Sequence, residues 1–589
     1  MLIIYLITIV AGLVKNVDQD WIPFDTSLFT NYQSLQFQNE KTIDLFWKLT
    51  NNNKEIEFGV ASRNGAGWVA IGTSDAGGMK GANIFVGRQN AKNEFILQEM
   101  FAETYTYPST KDVQQSKLLS SYQTDEYTAY TFRTVVCEGL NVEKPIWMIF
   151  AYGTSNAFRK HLDAHRGQQM VDFTGEYFKD MVLPSTENIK TLDLISPSVE
   201  IQPEKTSYCY SFFDLSKILN GKKHHIVKED IIIGSDFLHH SVGYICTKPP
   251  PEFKHGGVFC NYYREKGEPD ITNFKLTCAD RIYLAWAKGG QSRVYPTNMG
   301  KPLGTEDLKY MVIESHYNNP SKVGGTVDPG SGFRMSITDQ LRPIDVGMWT
   351  LGVSPSDIAL PPQQKTTLIS ECGTKCTSRV GAIPEDGINL LASQLHMHKR
   401  GVAGGTRHIR GDTELESFPN MEYFDFDFQM YLYGTKHQPK LLPGDRFITN
   451  CTWDNTENDD YVYGGLSSEE EMCFHFIEYY PAIEYFPSCL LVKQKDDIKF
   501  KHNLTHCAVQ RHESLNTSLV ELIPSDTPPF TPLVVDLTCP ILSSDVSDNV
   551  IVNPFMIGVA AAVVVLIGLW FIRRSYYQKY VPIPDNTEQ

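Results

Sequence analysis

Basic residues are in short supply in this chain. Its 589 residues include 53 lysines and arginines against 69 aspartates and glutamates, so the formal net charge is −16 at pH 7. A chain with this deficit offers no broadly positive surface to a polyanion, which argues against nucleic acid as a partner. The charge favours solubility but selects no substrate. The length allows three or four domains of ordinary globular composition.

Long apolar runs are also scarce, and two of them lie at the ends of the chain. Residues 1–13 are too short to span a bilayer and precede a polar segment, which predicts a signal peptide over residues 1–16. Residues 555–572 contain no charge and precede Arg573 and Arg574, which predicts a transmembrane helix over 554–573 and a cytoplasmic tail over 574–589. We therefore expect a single-pass type I membrane protein, with its ectodomain in the secretory-pathway lumen or outside the cell.

No odd cysteine is left over. The 12 cysteines allow six disulfides, as is common in secreted compartments, but the sequence alone does not pair them. Asn503 and Asn516 lie in Asn-X-Ser/Thr sequons and are expected to carry glycans.

Helical periodicity is scarce as well. Short apolar runs separated by glycine, proline and asparagine turns recur, as in IEFGVASRNGAGWVAIGTS, which is typical of antiparallel β-structure. Residues 184–203 are rich in proline, serine and threonine and predict a linker. We expect an all-β protein with a first domain at 21–180 and two further modules at 198–345 and 346–540.

Histidines form a first candidate metal site in SQLHMH. His396 and His398 lie two residues apart, so on a β-strand they share a face while Met397 points away. Met472, in EEEMC, would add a thioether from a second strand. Two imidazoles, one thioether and an open position suit copper. An isolated HxH pair is more often polar surface, so this interpretation needs further ligands.

A second candidate site lies upstream. His239 and His240 occur in FLHHSV, and His316 occurs in SHYNNP. Adjacent histidines on a regular strand point to opposite faces, so binding one ion with both requires a bulge or a strand end.

The motifs HH, HYNNP, HMH and EEMC, in this order, resemble those of the copper type II, ascorbate-dependent monooxygenases, especially the dopamine β-hydroxylase-like enzymes. The resemblance implies two jelly-roll-like β-sandwich modules that face each other across a solvent-filled cleft. It implies an electron-transfer copper on His239, His240 and His316 and an oxygen-binding copper on His396, His398 and Met472. Ascorbate would reduce both coppers, and one oxygen atom of O2 would enter a substrate C–H bond. No catalytic residue beyond the copper ligands is expected.

The family resemblance also implies how the cysteines pair. The implied disulfides are Cys209–Cys260, Cys246–Cys278, Cys372–Cys489, Cys451–Cys473, Cys376–Cys507 and Cys137–Cys539.

The first domain has its own resemblance. GWVAIGTSDAGGMKGANIFVGR, followed later by IWMIFAYGTSN, is similar to the DOMON domain, a β-sandwich whose relatives bind haem or sugars. Met79 with His161 or His165 would be the candidate haem ligands. Because methionine is a frequent gap-filler in cores, we expect a structural or docking role rather than a haem.

Three positions bear on the substrate. Relatives that hydroxylate peptidylglycine hold its carboxylate with an arginine, an asparagine and a tyrosine, where this chain has Gln394, Phe474 and Phe476. A buried carboxylate would lose its charged partners here, at a cost on the order of several kcal/mol. Peptide amidation is therefore disfavoured, and a small amine or alcohol is expected.

Some residues depart from the family pattern or have no ligand spacing. Ser241 stands where relatives usually have methionine, and the cations Lys399 and Arg400 follow the HxH pair, which would disfavour an amine unless they point outward. Four other histidines are expected to be structural: His224, His225, His408 and His475.

Two alternatives remain open. The first is a non-enzymatic cell-surface binding protein on the same fold, and the second is electron transfer through a haem-loaded first domain. The presence of all six implied copper ligands favours the enzyme.

Overall fold

The computed structural model describes the larger part of the chain. The described residues are 21–37, 41–63, 65, 67–136, 140–203, 206–246, 248–249, 253–263, 281–305, 308–378, 382–465, 467–483, 488–491 and 505–508. The expected signal peptide, transmembrane helix and tail, both sequons, and Cys137, Cys278 and Cys539 lie outside these residues. Within the described ranges, no helix is both long enough and apolar enough to cross a membrane.

The described part of the chain is nearly all-β, which confirms the predicted class. The two α-helices described there are single turns, Leu215–Ile218 and Thr374–Thr377. The carboxylate of Asp214 caps the first turn by accepting from Lys217 N at 3.3 Å. Three short 3-10 turns are Thr26–Leu28, Asp163–His165 and Pro355–Asp357.

The first sandwich consists of two antiparallel sheets. Its strands are β1 Asn31–Gln36, β2 Thr42–Thr50, β3 Glu55–Ser62, β4 Val69–Ser74, β5 Ala82–Gln89, β6 Phe95–Ala102, β7 Ser109–Thr110, β8 Lys117–Gln123, β9 Thr128–Val135, β10 Ile146–Tyr152 and β11 Arg166–Val171. The sheet orders are β1-β2-β3-β9-β8 and β11-β10-β4-β5-β6-β7. Side chains from both sheets, such as Phe58 and Met148, meet in one core.

The second sandwich carries the first histidine cluster. Its strands are β12 Ile189–Ile195, β13 Val199–Ile201, β14 Thr206–Asp214, β15 His224–Ile232, β16 Leu238–Cys246, β17 Val258–Tyr263, β18 Arg281–Ala287, β19 Arg293–Val294, β20 Met299–Leu303, β21 Tyr310–Asn318, β22 Thr326–Asp328, β23 Gly332–Thr338 and β24 Ile344–Asp345. One sheet runs β12-β23-β15-β20-β24, with β19 paired to β15, and the facing sheet runs β17-β14-β21-β16-β18; β13 pairs with β22.

The linker predicted at 184–203 is wrong in its central part. Strand β12 pairs with β23 along its whole length, and β13 pairs with β22. Leu192 and Leu194 are buried in the core of the second sandwich because alternate residues of β12 face inward. The prolines, serines and threonines at the ends of these strands favoured a linker, so the alternation of buried and exposed residues in β12 was not recognised. The second module therefore extends N-terminal to residue 198, and the other domain limits stay predictions.

The third sandwich carries the second histidine cluster. Its strands are β25 Gly347–Val353, β26 Ala359–Leu360, β27 Lys365–Cys372, β28 Asn389–His396, β29 Gly401–Arg410, β30 Thr413–Leu415, β31 Arg446–Asp454, β32 Val462–Tyr463, β33 Cys473–Tyr480, β34 Ser488–Leu491 and β35 Thr505–Ala508. The main sheets run β28-β33-β25-β34-β35 and β27-β31-β29-β30. Trp349 and Phe447, from opposite sheets, pack in the core between them.

Candidate metal centre

The first cluster lies where β16 and β21 run side by side. His240 is the cross-strand partner of His316, and the register shifts between Leu238 and His240. This irregularity is the kind of bulge that adjacent histidines need in order to converge. The Nδ1 atom of His240 lies 3.4 Å from Nδ1 of His239 and 3.2 Å from Nδ1 of His316. All three side chains are buried.

These distances fit a shared metal ion better than hydrogen bonds. An imidazole nitrogen has either one proton or one lone pair, so Nδ1 of His240 cannot form good hydrogen bonds with two neighbours. Two nitrogens that each lie about 2.0 Å from one ion are about 3.3 Å apart at a tetrahedral angle. One ring nitrogen from each of the three histidines lies within 4.8 Å of the others, so the cluster is compact enough to hold one metal ion.

The second cluster lies at the end of β28. Nδ1 of His396 donates to Oε1 of Gln429 at 2.6 Å, and Nδ1 of His398 donates to the carbonyl oxygen of Glu470 at 2.9 Å. Carbonyl oxygens only accept hydrogen bonds, so each Nδ1 must hold the proton. This tautomer leaves Nε2 of each ring with a lone pair that can bind a metal.

The residue before Met472 is tied to the segment that carries His398. Glu471 accepts hydrogen bonds from His398 N at 2.9 Å, Arg400 N at 2.7 Å and Trp453 Nε1 at 2.9 Å. Met472 is buried, and the register that pairs His396 with Phe474 would place it opposite His398 if continued by two residues. Met472 directly precedes β33, next to the strand end that pairs with His396.

The two clusters are in contact, which corrects the expectation of a solvent-filled cleft between them. The ring centroids of His240 and His396 are 5.1 Å apart, and those of His240 and His398 are 6.4 Å apart. All five histidines are buried. A buried ionic network closes the modules nearby: Arg293 binds Glu229 at 2.6 Å and Glu478 at 2.5 Å, and Lys301 binds Glu478 at 2.8 Å.

The electrostatic environment keeps these imidazoles neutral. Burial, and then the neighbouring histidines, hold the pKa values of His239, His240 and His316 well below their ordinary value. Burial lowers the pKa of His396 to about 4, although its hydrogen bond with Gln429 acts in the opposite direction. Neutral rings keep their lone pairs at physiological pH, which metal binding requires.

Several residues that surround the centre had no sequence signal. Phe426 stacks on His239 with ring centroids 4.0 Å apart, Tyr208 stacks on His316 at 4.6 Å, and Gln429 supports His396. Phe426 and Gln429 lie in FDFDFQMYLY, which has no ligand spacing and whose alternation of apolar and polar residues would suggest an ordinary strand. Only the run of three glutamates in EEEMC pointed to Glu471.

The residues expected to shape the substrate site lie together on the third sandwich. Gln394 is the cross-strand partner of Phe476, and the Nε2 atom of Gln394 donates to the carbonyl oxygen of Gln429 at 2.6 Å. Phe476 packs with Ala285 and Met348 in a small apolar cluster between the modules. The wall beside His396 is therefore apolar, and the amide nitrogen of Gln394 already has a partner.

Two of the departures from the family pattern are cations that contact Glu469, and the third is a serine that faces away from His240. Lys399 pairs with Glu469 at 2.6 Å, and Nη1 of Arg400 donates to the carbonyl oxygen of Glu469 at 2.8 Å. Their charges are therefore partly neutralised by this segment. Ser241 is the cross-strand partner of Ser315, on the sheet face opposite His240.

The remaining histidines have protein partners. His225 binds Asp345 at 2.8 Å, His408 binds Ser417 and Asp445 at 2.6 Å each, His475 lies 2.8 Å from Thr406, and His224 lies 3.0 Å from the carbonyl oxygen of Lys222. In the first sandwich, Met79 packs in an apolar cluster with Trp68 and Phe158, while His165 stacks on Tyr152 at 4.1 Å and His161 lies 3.3 Å from the carbonyl oxygen of Leu162. These contacts do not by themselves form a haem site.

Disulfides support the two histidine-bearing modules. The structure contains Cys209–Cys260, Cys372–Cys489 and Cys451–Cys473. The last bond fixes the start of β33, directly after Met472. Cys246 and Cys376 are also disulfide-bonded, but the side chains of their expected partners, Cys278 and Cys507, are not among those described. Cys372, Cys376 and Cys489 are close enough for a metal, but their sulfurs are used in disulfides.

Comparison with known proteins agrees with this arrangement. The N-terminal and C-terminal domains of the copper type II ascorbate-dependent monooxygenases match residues 192–324 and 344–499, and the DOMON domain matches residues 39–139. The DBH-like monooxygenase protein 1 of Homo sapiens is 29% identical over 438 residues, which are 71% of this chain and 68% of that protein. The dopamine beta-hydroxylase of Rattus norvegicus is 28% identical over 468 residues, which are 76% of this chain and 72% of that protein.

Among solved structures, the cytochrome b domain of pyranose dehydrogenase from Coprinopsis cinerea has a TM-score of 0.21 and 15% identity, over 24% of this chain and 83% of that domain. That likeness is too weak to bear on fold or ligand. The matched family domains and the dopamine β-hydroxylase relatives decide the assignment. The chain belongs to the copper type II ascorbate-dependent monooxygenase family and has a DOMON domain before its two copper modules.

Proposed function

We propose that this protein is an active copper- and ascorbate-dependent monooxygenase that inserts one oxygen atom of O2 into a C–H bond of a small molecule. The observation that supports this most is the contact between the two histidine clusters, with the His240 and His396 rings 5.1 Å apart. A binding protein that retained only the fold would have no need for both clusters or for the hydrogen bonds that fix their tautomers.

The chain would hold two copper ions. His239, His240 and His316 would bind one through their Nδ1 atoms, and His396, His398 and Met472 would bind the other through two Nε2 atoms and a thioether. Copper bound there supplies one-electron redox chemistry and a site for O2. Gln429 and the carbonyl oxygen of Glu470 hold the protons of His396 and His398 away from the metal side. Burial keeps the rings of His239, His240, His316 and His396 neutral, and the burial of all five rings limits the access of water.

The substrate would lie against the apolar wall formed by Phe474 and Phe476. Glu478 follows on the same face of β33, but its charge is already neutralised by Arg293 and Lys301. A substrate carboxylate would find no free cation among these residues, which disfavours peptidylglycine. A small amine or alcohol with an apolar side chain is the class that fits.

The cellular setting that we infer is the secretory pathway. Three disulfides in the described chain agree with an oxidising compartment. Residues 1–16 would be removed as a signal peptide, and residues 554–573 would anchor the protein with the tail at 574–589 in the cytoplasm. Glycans would be attached at Asn503 and Asn516.

An isotope experiment tests the function. The full-length, copper-loaded protein would be supplied with ascorbate, 18O2 and a panel of aromatic and aliphatic amines and alcohols. We expect one labelled oxygen in a hydroxylated product and ascorbate consumption that matches product formation. His396→Ala should abolish product, whereas His437→Ala, an exposed histidine on the same module, should not. A fully loaded native protein that yields no labelled product across the panel would instead favour the binding-protein alternative.

A further inference from the structure

One irregular segment touches both histidine clusters on one side and the DOMON domain on the other. We call residues 424–433, FDFDFQMYLY, the bridging strip. In the described structure it belongs to no regular strand, and its one β-bridge joins Leu432 to Ser393. A segment without a sheet ladder depends on other contacts for its position.

The inner side of the bridging strip touches both clusters. The Phe426 ring stacks on His239 at 4.0 Å, and Oε1 of Gln429 accepts from His396 at 2.6 Å. The Nε2 atom of Gln429 donates to the carbonyl oxygens of Phe426 at 3.0 Å and Met397 at 3.3 Å, which fixes the orientation of its amide. A shift of the bridging strip would therefore move a ring against one cluster and a hydrogen-bond acceptor at the other.

The outer side of the bridging strip is held by polar contacts from the DOMON domain. Lys80 donates from Nζ to the carbonyl oxygen of Phe424 at 3.0 Å. Trp147 donates from Nε1 to the carbonyl oxygen of Tyr431 at 3.4 Å. These two bonds fix the backbone near both ends of the bridging strip, on either side of Phe426 and Gln429.

Close packing reinforces these bonds. Ala76 and Trp147 of the DOMON domain share one buried apolar cluster with Phe424, Met430 and Leu432. Gly77 has φ +80°, and a Cβ atom there would lie 3.1 Å from Cε of Met430, the neighbour of Gln429. A Cβ atom at Gly78 would lie 2.8 Å from Cδ2 of Phe428. The glycines of the loop at 74–81 thus allow the DOMON backbone to approach the bridging strip closely.

We propose that the DOMON domain positions both metal clusters through the bridging strip, with the 74–81 loop and Trp147 as the positioning residues. The expected effect on copper binding rests on the proposed function, but the expected effect on the position of the bridging strip does not. Partners that hold the second nitrogen of a metal-binding histidine commonly change metal affinity or activity by about 10- to 100-fold when they are lost. The DOMON domain would act on His396 indirectly, because it contacts the bridging strip and Gln429 of that strip contacts His396.

Matched substitutions test this proposal. Gly77→Ala would push Met430, whereas Gly175→Ala has a similar left-handed φ of +70° but its nearest atom is 3.9 Å away. Trp147→Phe loses the bond to the bridging strip, whereas Trp47→Phe loses a comparable indole bond, to Phe173 O at 2.8 Å, inside the DOMON core. Each pair of variants distinguishes the effect of losing contact with the bridging strip from the effect of a general loss of DOMON stability.

The first measurement uses the full-length, copper-free protein. Hydrogen–deuterium exchange of peptides that cover residues 424–433 should become faster in Gly77→Ala and Trp147→Phe but not in Gly175→Ala or Trp47→Phe. This readout does not depend on turnover, so it remains valid if the proposed enzyme activity fails. If Gly77→Ala does not fold, the tryptophan pair decides the outcome.

The second measurement uses the copper-loaded protein. Gly77→Ala and Trp147→Phe should alter the Cu(II) electron paramagnetic resonance spectrum and weaken copper binding by about 10-fold, while the control variants match the native protein. Unchanged exchange and spectra in both Gly77→Ala and Trp147→Phe would overturn the proposal. Equal changes in Trp47→Phe would also overturn it, because the effect would then be one of domain stability.

Discussion

The rings of His240 and His396 come from different sandwiches, yet their centroids are only 5.1 Å apart. The second and third modules therefore build one buried centre of five imidazoles rather than two sites separated by solvent.

This arrangement predicts two copper ions that can be lost one at a time. His240→Ala and His396→Ala should each retain about one copper per chain, because each removes a ligand from only one cluster. Metal analysis of the reconstituted variants measures this directly, with His437→Ala as the control that keeps both ions. Loss of both ions in either variant would contradict independent metal binding by the two clusters.

The hydrogen bond between His396 and Gln429 predicts a specific defect. Gln429→Leu removes the acceptor and leaves a buried Nδ1 proton without a partner, which costs about 1–3 kcal/mol. Copper affinity should fall by about 10- to 100-fold because the tautomer of His396 is no longer fixed. Denaturant titration and copper titration check the two effects. Gln363→Leu, at an exposed hydrogen bond to Asp459, should leave both values near native.

The buried ionic network predicts that the closed module interface depends on charge pairing. Glu478→Ala leaves Arg293 and Lys301 buried without one of their carboxylates, which should lower the free energy of unfolding by about 3–5 kcal/mol. Glu414→Ala, which breaks a more exposed pair with Arg407, should cost less than about 1 kcal/mol. Equal denaturation midpoints for the two variants would show that the network does not hold the interface.

Asp425, at the DOMON interface, predicts a dependence of stability on pH. Burial raises the pKa of Asp425 to about 6, above its ordinary value of 3.8. The hydrogen bond from Asp427 N and the charge of Lys80 oppose this rise, whereas the charge of the Asp427 carboxylate adds to it. The folded state therefore favours the protonated acid, and stability is lost as pH rises from about 4 to about 6.

Asp425→Asn should remove that loss while keeping the acceptor for Asp427 N. At pH 7 the variant should be more stable than the native protein by on the order of 2 kcal/mol, and the difference should vanish below about pH 4. Thermal unfolding across this pH range checks the prediction. The prediction would be contradicted if the difference in stability between Asp425→Asn and the native protein were the same at pH 4 and at pH 7.

The sequence allowed the two histidine clusters to be predicted because their residues follow local rules. HxH spacing places His396 and His398 on one face, and the adjacent pair at 239–240 implied the bulge that β16 shows. The surroundings follow no local rule. Phe426 and Gln429 lie in an irregular segment that also packs against the DOMON domain, and the sequence of that segment does not reveal its contacts with residues 77 and 147.

Sequence patterns likewise could not predict the distance between the two histidine clusters. It depends on how two separate sandwiches dock, which is set by the buried network of Glu229, Arg293, Lys301 and Glu478. These residues are spread over 250 positions of sequence and look like ordinary charges in strands. The strand at 189–195 was missed for a local reason, because its flanking prolines and threonines suggested a linker.

The substitution that tests the central claim most directly is Met472→Ile, compared with Met397→Ile. Both methionines are buried, but Met397 packs in an apolar cluster, whereas Met472 directly precedes β33 and is the proposed sulfur ligand. Each change keeps an apolar side chain of similar size and should cost less than about 1.5 kcal/mol. Only Met472→Ile removes a soft sulfur ligand from the proposed copper site.

The decisive measurement is ascorbate-coupled product formation by the native protein and both variants, each first shown to be folded by its denaturation midpoint. We predict that Met472→Ile folds and forms no product, while Met397→Ile retains product formation at close to the native rate. Product formation by a folded Met472→Ile at the native rate would contradict the account.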